Sequence, residues 1–327
     1  VTTLAEALVK QWSTKDLRVL VPPAEGRAGD ALMTFSDRYS VFDHGVMPDR
    51  IPGKGRASCA MAVHSFGLLH DAGLATHFVE QVAADTIRIR LLGRDLSGTR
   101  PTGPARLIPL QVVYRRELRP ESSVHRRIAA GALDPADVPA PDPVTGRLAA
   151  DMVEFTSKFE ETDRFLTRAE AARIGGVGPD DLTALTAAAR RVCATVGERC
   201  EQIGLTLVDG KAEFGYDDDR RLMIVDHAGT PDENRFYLGD TPVCKELLRA
   251  IHPGLRDRVQ AYVRDGVPRA EWAPPAPLDP ETIGAVADVY ATLAELWTTG
   301  TAAARNRLTA AARRYDDAVA AGAGSGR

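Results

Sequence analysis

The sequence predicts an α+β protein of antiparallel sheets with flanking helices. Three observations lead there. Short strand-like runs crowd residues 1–115, a long amphipathic helix delivers the chain to two further strand-like runs, and the final third is helical. The chain accordingly divides at 1–115, 116–300 and a helical tail, 301–327.

The N-terminal part offers "LRVLV" (17–21), "ALMTFS" (31–36), "TIRIRLL" (86–92) and "LIPLQVVYR" (107–115) as strands. "PPAEGRAGD" (22–30) turns the first into the second, and one amphipathic helix over about 57–72 interrupts the series. "LDPADVPAPDPVTGR" (133–147) reads as a long surface loop. Asp180 or Asp181 then caps a helix whose Leu182, Leu185, Ala189, Val192, Val196, Cys200 and Ile203 recur at spacings of three and four. Helices are expected over about 241–263, 280–298 and 301–321, with "GAGSGR" a frayed ending.

Composition narrows the class. Of 327 residues, 44% are hydrophobic and 26% charged, and a net charge of −4 with both signs mixed points away from nucleic-acid and membrane partners. No apolar run is long enough to span a bilayer, and "VTTLAEALVKQW" lacks the apolar centre of a signal peptide. Cys59, Cys193, Cys200 and Cys244 have no metal-ligand spacing and fit predicted helices, as reduced core thiols of a cytosolic, cytoplasmic protein. The seven histidines form no cluster suited to zinc.

The segment "LVDGKAEFGYDDDRRLMIVDHAGTPDENR" (207–235) carries the most chemistry. Asp209, Lys211 and Glu213 alternate with Val208, Gly210, Ala212 and Phe214, so the three charged side chains share one strand face. "GYDDDRR" is short enough for a hairpin loop, and the returning strand, Leu222–Val225, ends on Asp226. Two antiparallel strands thus bring three acids and a lysine towards one patch. A half-solvated sheet face would show the same alternation.

Other segments add to the hairpin. "FSDRYSVFDHGVMPDRIPGKG" (35–55) packs Asp37, Arg38, Ser40, Asp43 and Lys54 into a loop after a strand, a ligand-facing position. Its "GKG" lacks the spacing of a Walker loop. In "VVYRRELRPESSVHRR" (112–127), Arg115 and Arg116 end a strand, and Ser122 and Ser123 open a helix; forked guanidiniums, hydroxyls and a helix start suit a phosphate, though a basic surface helix would look alike. "FTSKFEETDR" (155–164) places Lys158, Glu160, Glu161 and Asp163 in a loop.

Seven blocks in order, "SDRYSVFD", "IPGKG", "IPLQVVYR", "FTSKFEETD", "LVDGKAEFG", "IVDHAGTPDENRF" and "WAPPAPLDPETIGAVADVYATLAELWTTG", resemble the SAICAR synthetase family of purine biosynthesis over about residues 35–300. The resemblance implies a two-part ATP-grasp-like fold, with nucleotide binding in the N-terminal part and metal and substrate sites in the second. It implies an ATP- and Mg²⁺-dependent ligase that joins an azole nucleotide carboxylate to L-aspartate through an acyl phosphate, releasing ADP and phosphate. Under it, Glu213 and Asp226 hold the metal, and Lys211, Asp209 and Lys158 are catalytic. Lys15, Lys158 and Asp226 face the nucleotide. Asp37, Ser40, Lys54, Arg115, Ser122, Ser123, Asp232 and Arg235 bind substrate. Partners are small molecules, and a homo-oligomer is compatible with the sequence.

The chain departs from the family pattern at several points. No Gly-Lys precedes Thr14-Lys15-Asp16, His227 stands where an acid follows the metal-binding aspartate, and "PESS" replaces a glycine-serine. "ETD" keeps only Asp163, and "PVCKELLRA" keeps Lys245 and Arg249 without a preceding acid. These changes leave room for a paralogue acting on another heterocycle, such as a C-nucleoside carboxylate of specialised nucleoside-antibiotic metabolism, or on another amine. A kinase-like phosphotransferase and a non-catalytic nucleotide binder are the readings of other classes.

Overall fold

The computed structural model describes residues 9–42, 44–95, 102–160 and 163–324. The stretch before residue 9, Asp43, Glu161 and the last three residues of the ending expected to fray (322–327) lie outside the described residues; 322–324 continue the last helix.

The first sheet is built from β1 (Val9–Gln11), β2 (Lys15–Val21), β3 (Gly29–Phe35), β4 (Phe78–Ala83) and β5 (Thr86–Leu91), in the order β1-β2-β3-β5-β4 and antiparallel throughout. Ala31, Met33 and Phe35 alternate inward from β3, as period-two geometry requires. Helix α1 (Lys54–Asp71) packs on β3 and buries Cys59, Met61, Ala62, Phe66 and Leu69. Its first turn runs so close to β3 that a Cβ on Gly55 would sit 2.5 Å from the Phe35 carbonyl oxygen.

The second sheet follows the order β12-β11-β9-β6-β7-β8. Its members are β6 (Leu107–Glu117), β7 (Arg147–Ser157), β8 (Phe165–Leu166), β9 (Thr206–Tyr216), β11 (Asn234–Leu238) and β12 (Thr241–Pro242), and β10 (Leu222–Val225) also pairs with β9. The boundary between the sheets falls before β6, earlier than the division drawn at 115 from the sequence. Helices α2 (Ser123–Ala129), α3 (Arg168–Gly175) and α4 (Pro179–Ile203) lie within this part. The predicted apolar stripe of α4 is buried from Leu182 to Ile203 against β6, β7 and β9. Gly178, not Asp180 or Asp181, is its N-cap. Pro179 opens the helix, and the Asp181 carboxylate accepts the Gly178 N–H at 3.0 Å.

The helix expected over 241–263 is broken into β12, α5 (Glu246–Ala250) and α6 (Leu255–Arg264). Pro253 cannot continue α5, and Gly254, at φ +74°, turns the chain into α6. Cys244 therefore precedes a helix instead of lying in one; all four cysteines are buried and unpaired with one another. Helix α7 (Pro280–Thr299) packs on α1, and α8 (Ala302–Gly324) packs on α7. Far from being an appended tail, α8 buries Ala304, Leu308, Ala311 and Tyr315 in the same continuous core as Phe35, Tyr114 and Val192. Among the described residues no helix is long and apolar enough to cross a membrane.

Candidate active site

Strand β9 changes partner along one edge. Thr206–Gly210 pairs with β11 and Glu213–Tyr216 with β10, so the connection 226–233 spans the break. On the other edge, β6 sets Gln111 opposite Glu213, Val113 opposite Lys211 and Arg115 opposite Asp209. Beyond it, β7 sets Thr156 opposite Gln111 and Glu154 opposite Val113. Directly opposed residues share a face, and Gln111, Val113, Arg115, Thr156, Asp209 and Lys211 of this ladder floor a cavity of about 860 Å³. The β1–β2 turn (Ser13, Thr14) and Ser40 form part of the wall, and α5 and α6 add Arg249 and Arg256.

One end of the floor is cationic. Arg115 donates to Asp209 at 2.7 Å, to Glu154 at 3.0 Å and to the Ser123 hydroxyl at 3.3 Å. Arg235 grips the same Asp209 carboxylate with Nε, at 2.7 Å, and Nη2. Burial works against charge on Asp209, yet hydrogen bonding and charge from Arg235, then Arg115, hold its carboxyl below the ordinary range. The expected trio of Arg115, Ser123 and Arg235 therefore does converge. Ser122 does not join it: it is buried and accepts the Val124 N–H as the N-cap of α2.

Behind Lys211 and Glu233, which line the cavity, lies a mesh of lysines and acids whose other members are not among the lining residues. Lys158 pairs with Glu213, and Lys15, reaching across from the first sheet, pairs with Asp226. Lys211 lies 3.1 Å from Glu233, which outweighs the effect of burial and raises the lysine's affinity for its proton. Lys158 goes the other way: burial, with Lys15 and Lys211 nearby, brings it down to about 8 despite Asp226. Burial opposes the charge on Asp226, but Lys15, His227 and Lys158 hold its carboxyl far below the usual range. Asp226 is also bent into left-handed backbone, φ +63°, and its carbonyl accepts a 2.7 Å bond from His77.

Among the described residues, Asp226, His227 and Glu233 bring one donor atom each within 4.8 Å of the others. Glu213, the other expected metal residue, is not one of the three. Two carboxylates and an imidazole form a donor set that fits a divalent cation. Gly210 makes the turn around this loop feasible. Asn234 accepts the Gly229 N–H at 2.9 Å and donates to the Tyr114 hydroxyl at 2.6 Å, and a Cβ on Gly210 would lie 2.0 Å from the Asn234 amide nitrogen.

Two expected substrate residues support the site from outside the cavity. Lys54, 1% exposed, donates to Asp232 at 2.6 Å, while Asp232 itself lines the cavity and meets the Tyr290 hydroxyl at 3.4 Å. Asp37 accepts the Gly53 and Gly55 N–H groups at 3.1 and 2.9 Å and so satisfies the start of α1. Glu233, Thr230, His77 and Asn234 also shape the site and were not singled out from the sequence. The signal for Glu233 was its place within "TPDENR", between two residues that were chosen.

The family model for SAICAR synthetase matches residues 25–259. An Archaeoglobus fulgidus protein is 36% identical over 85% of this chain and 90% of its own length. A relative from Thermoplasma volcanium, named phosphoribosylaminoimidazole-succinocarboxamide synthase, is 31% identical over 80% of this chain and 91% of its own. Among solved structures, a SAICAR synthetase in complex with ADP aligns with a TM-score of 0.62 at 21% identity, over 90% of this chain and 98% of that one. The Saccharomyces cerevisiae SAICAR synthase complexed with SAICAR aligns with a TM-score of 0.66 at 18% identity, over 92% and 98%. At these identities the structures speak for the fold.

Proposed function

The chain belongs to the SAICAR synthetase family, and from that premise we propose that it joins the ring carboxylate of an aminoimidazole ribonucleotide to the amine of L-aspartate. It is an ATP-dependent carboxylate–amine ligase. What supports the substrate reading is one juxtaposition: an arginine–serine cradle and a lysine–carboxylate mesh on the same sheet face, along one cavity.

The chemistry has two steps. A carboxylate oxygen of the ribonucleotide attacks the γ-phosphorus, the bond to ADP breaks, and an acyl phosphate forms. The aspartate nitrogen then attacks the acyl carbon, phosphate departs with the C–O bonding pair, and the nitrogen gives up its proton. Negative charge gathers on phosphoryl oxygens in both steps, and fixed ammonium groups answer it without reorganisation. Lys15, Lys158 and Lys211 have that role. Arg115, Ser123 and Arg235 hold the ribose phosphate through charge-assisted bonds. Asp209, saturated by two guanidiniums, positions them.

Ser40 belongs to the cavity wall, and Asp232, held by Lys54, fixes the loop carrying Glu233. Magnesium supplies charge neutralisation on the triphosphate when bound; Asp226, with His227 and Glu233, would hold it, and Glu213 backs it through Lys158.

The phosphotransferase, the non-catalytic binder and the specialised-pathway ligase are not favoured, since relatives matching 80% and 82% of this chain are named for the succinocarboxamide product. The test is ADP release by the full chain with ATP, Mg²⁺, L-aspartate and the aminoimidazole carboxylate ribonucleotide. ADP and an amide of the expected mass should appear together, each requiring both substrates. ADP release without the amide would overturn the assignment.

A further inference from the structure

We propose that His227 is a nitrogen ligand of the cation site, which makes this a mixed N,O centre that holds a first-row transition ion, manganese included, in preference to magnesium. The inference deepens the reading above, since it concerns the same site. His227 is 2% exposed, and its Nδ1 lies 2.8 Å from the Thr230 hydroxyl. With Nδ1–H donated to that hydroxyl, Nε2 presents its lone pair to the two carboxylates. A partner on one ring nitrogen that fixes the other for metal is the usual arrangement of ligating imidazoles.

The spacing suits ligands better than hydrogen bonds. Nε2 is 3.7 Å from Asp226 Oδ1 and 3.8 Å from Glu233 Oε1, beyond hydrogen-bond reach. Donors about 2.1 Å from a shared ion stand roughly 3.0–3.5 Å apart in octahedral or tetrahedral geometry. Closing the set requires Nε2 and the two oxygens to approach by about 0.3–0.8 Å, and Asp226 Oδ1, now paired with the Lys15 ammonium, to exchange that partner for the ion. The residues that would hold it are already braced. His77 fixes the Asp226 carbonyl, Asn234 fixes the loop through Gly229, and Phe35 meets the His227 ring edge-on at 5.3 Å. Oxygen-only sites suit hard magnesium, and an imidazole nitrogen moves preference along the first transition row.

The experiment uses the 327-residue chain and MnCl2 without nucleotide or substrate, so its outcome is separate from whether the ligase reaction runs. Pulsed EPR of bound Mn²⁺ should show one nitrogen coupling, which changes from the ¹⁴N to the ¹⁵N pattern on histidine labelling. In His227→Asp the coupling should vanish, and the preference for Mn²⁺ over Mg²⁺ should fall by about tenfold or more. Thr230→Val, close in shape and remote from the ion, should weaken Mn²⁺ binding while keeping the nitrogen signal. Bound manganese without nitrogen coupling in the wild-type chain would overturn the proposal whether or not the variants fold. So would unchanged ion preference in a folded His227→Asp protein.

Discussion

Arg235, which lines the cavity, and Lys158, in the charged mesh behind it, represent two kinds of charge at the site, and each leaves a distinct trace in kinetics. Arg235 shares Asp209 with Arg115, so truncation leaves that buried carboxylate one cation and the ribose phosphate one donor fork fewer. Arg235→Ala should raise KM for the ribonucleotide by at least tenfold with a smaller change in kcat; an unchanged KM would remove Arg235 from phosphate binding. Lys158 is charged below about pH 8 and loses that charge above it, because burial lowers its proton affinity. ADP formation should therefore decline as pH rises through 8, and Lys158→Arg, whose charge persists, should push the decline upward. A profile flat to pH 9 would show that the Lys158 charge is not used. At this scale the sequence was most legible where period two governs. Asp209, Lys211 and Glu213 share a face, as the alternation requires. Asp37, Lys54 and Ser122 were assigned from the family resemblance and their place in a loop or helix start, and neither says whether a polar group faces a ligand, a helix end or an ion partner.

The elements explain why the charged loop is held so firmly. His77 follows a single-residue bridge between Thr76 and Ile224, so the approach to β4 runs beside β10 and ends under Asp226. Burial lowers His77 to about 4 and keeps it neutral, and a carbonyl can only accept, so Nε2 carries the proton. His77→Leu would strand a buried carbonyl, a cost of about 1–3 kcal/mol. It should lower kcat/KM for ATP about tenfold, roughly the rate equivalent of 1.4 kcal/mol, whereas His77→Gln, whose amide can donate, should recover most of it. Equal loss in both variants would mean that packing matters here and the bond does not. The hairpin, the 25-residue α4 and helix α7 were plain in the sequence because their periodicity is strong. β4 was not, since most of its residues are exposed and carry no alternation. β7 was hidden because its polar side chains serve the cavity floor, and the partner switch along β9 depends on pairings far apart in the chain.

Across the whole molecule, one apolar core joins both sheets, α1, α4, α7 and α8. Helix α8 is part of that structure: Leu308 is fully buried, and the Tyr315 hydroxyl donates to the Leu247 carbonyl at 2.9 Å. Leu308→Ala should cost about 2–5 kcal/mol, as for other buried leucines. Denaturant unfolding would register that loss, and a change under 0.5 kcal/mol would mean α8 is dispensable. Fold class and family were legible because the motif blocks run through both halves of the chain; the role of α8 was not, because an Ala-rich amphipathic helix reads the same whether docked or free. The four sequestered thiols have a practical corollary. Cys59 is pushed up to about 12 and Cys244 to about 11, chiefly by burial, so neither forms thiolate at neutral pH. An alkylating reagent should thus stay silent towards the native molecule, and the rate at which it marks these sulfurs would time how often the interior opens.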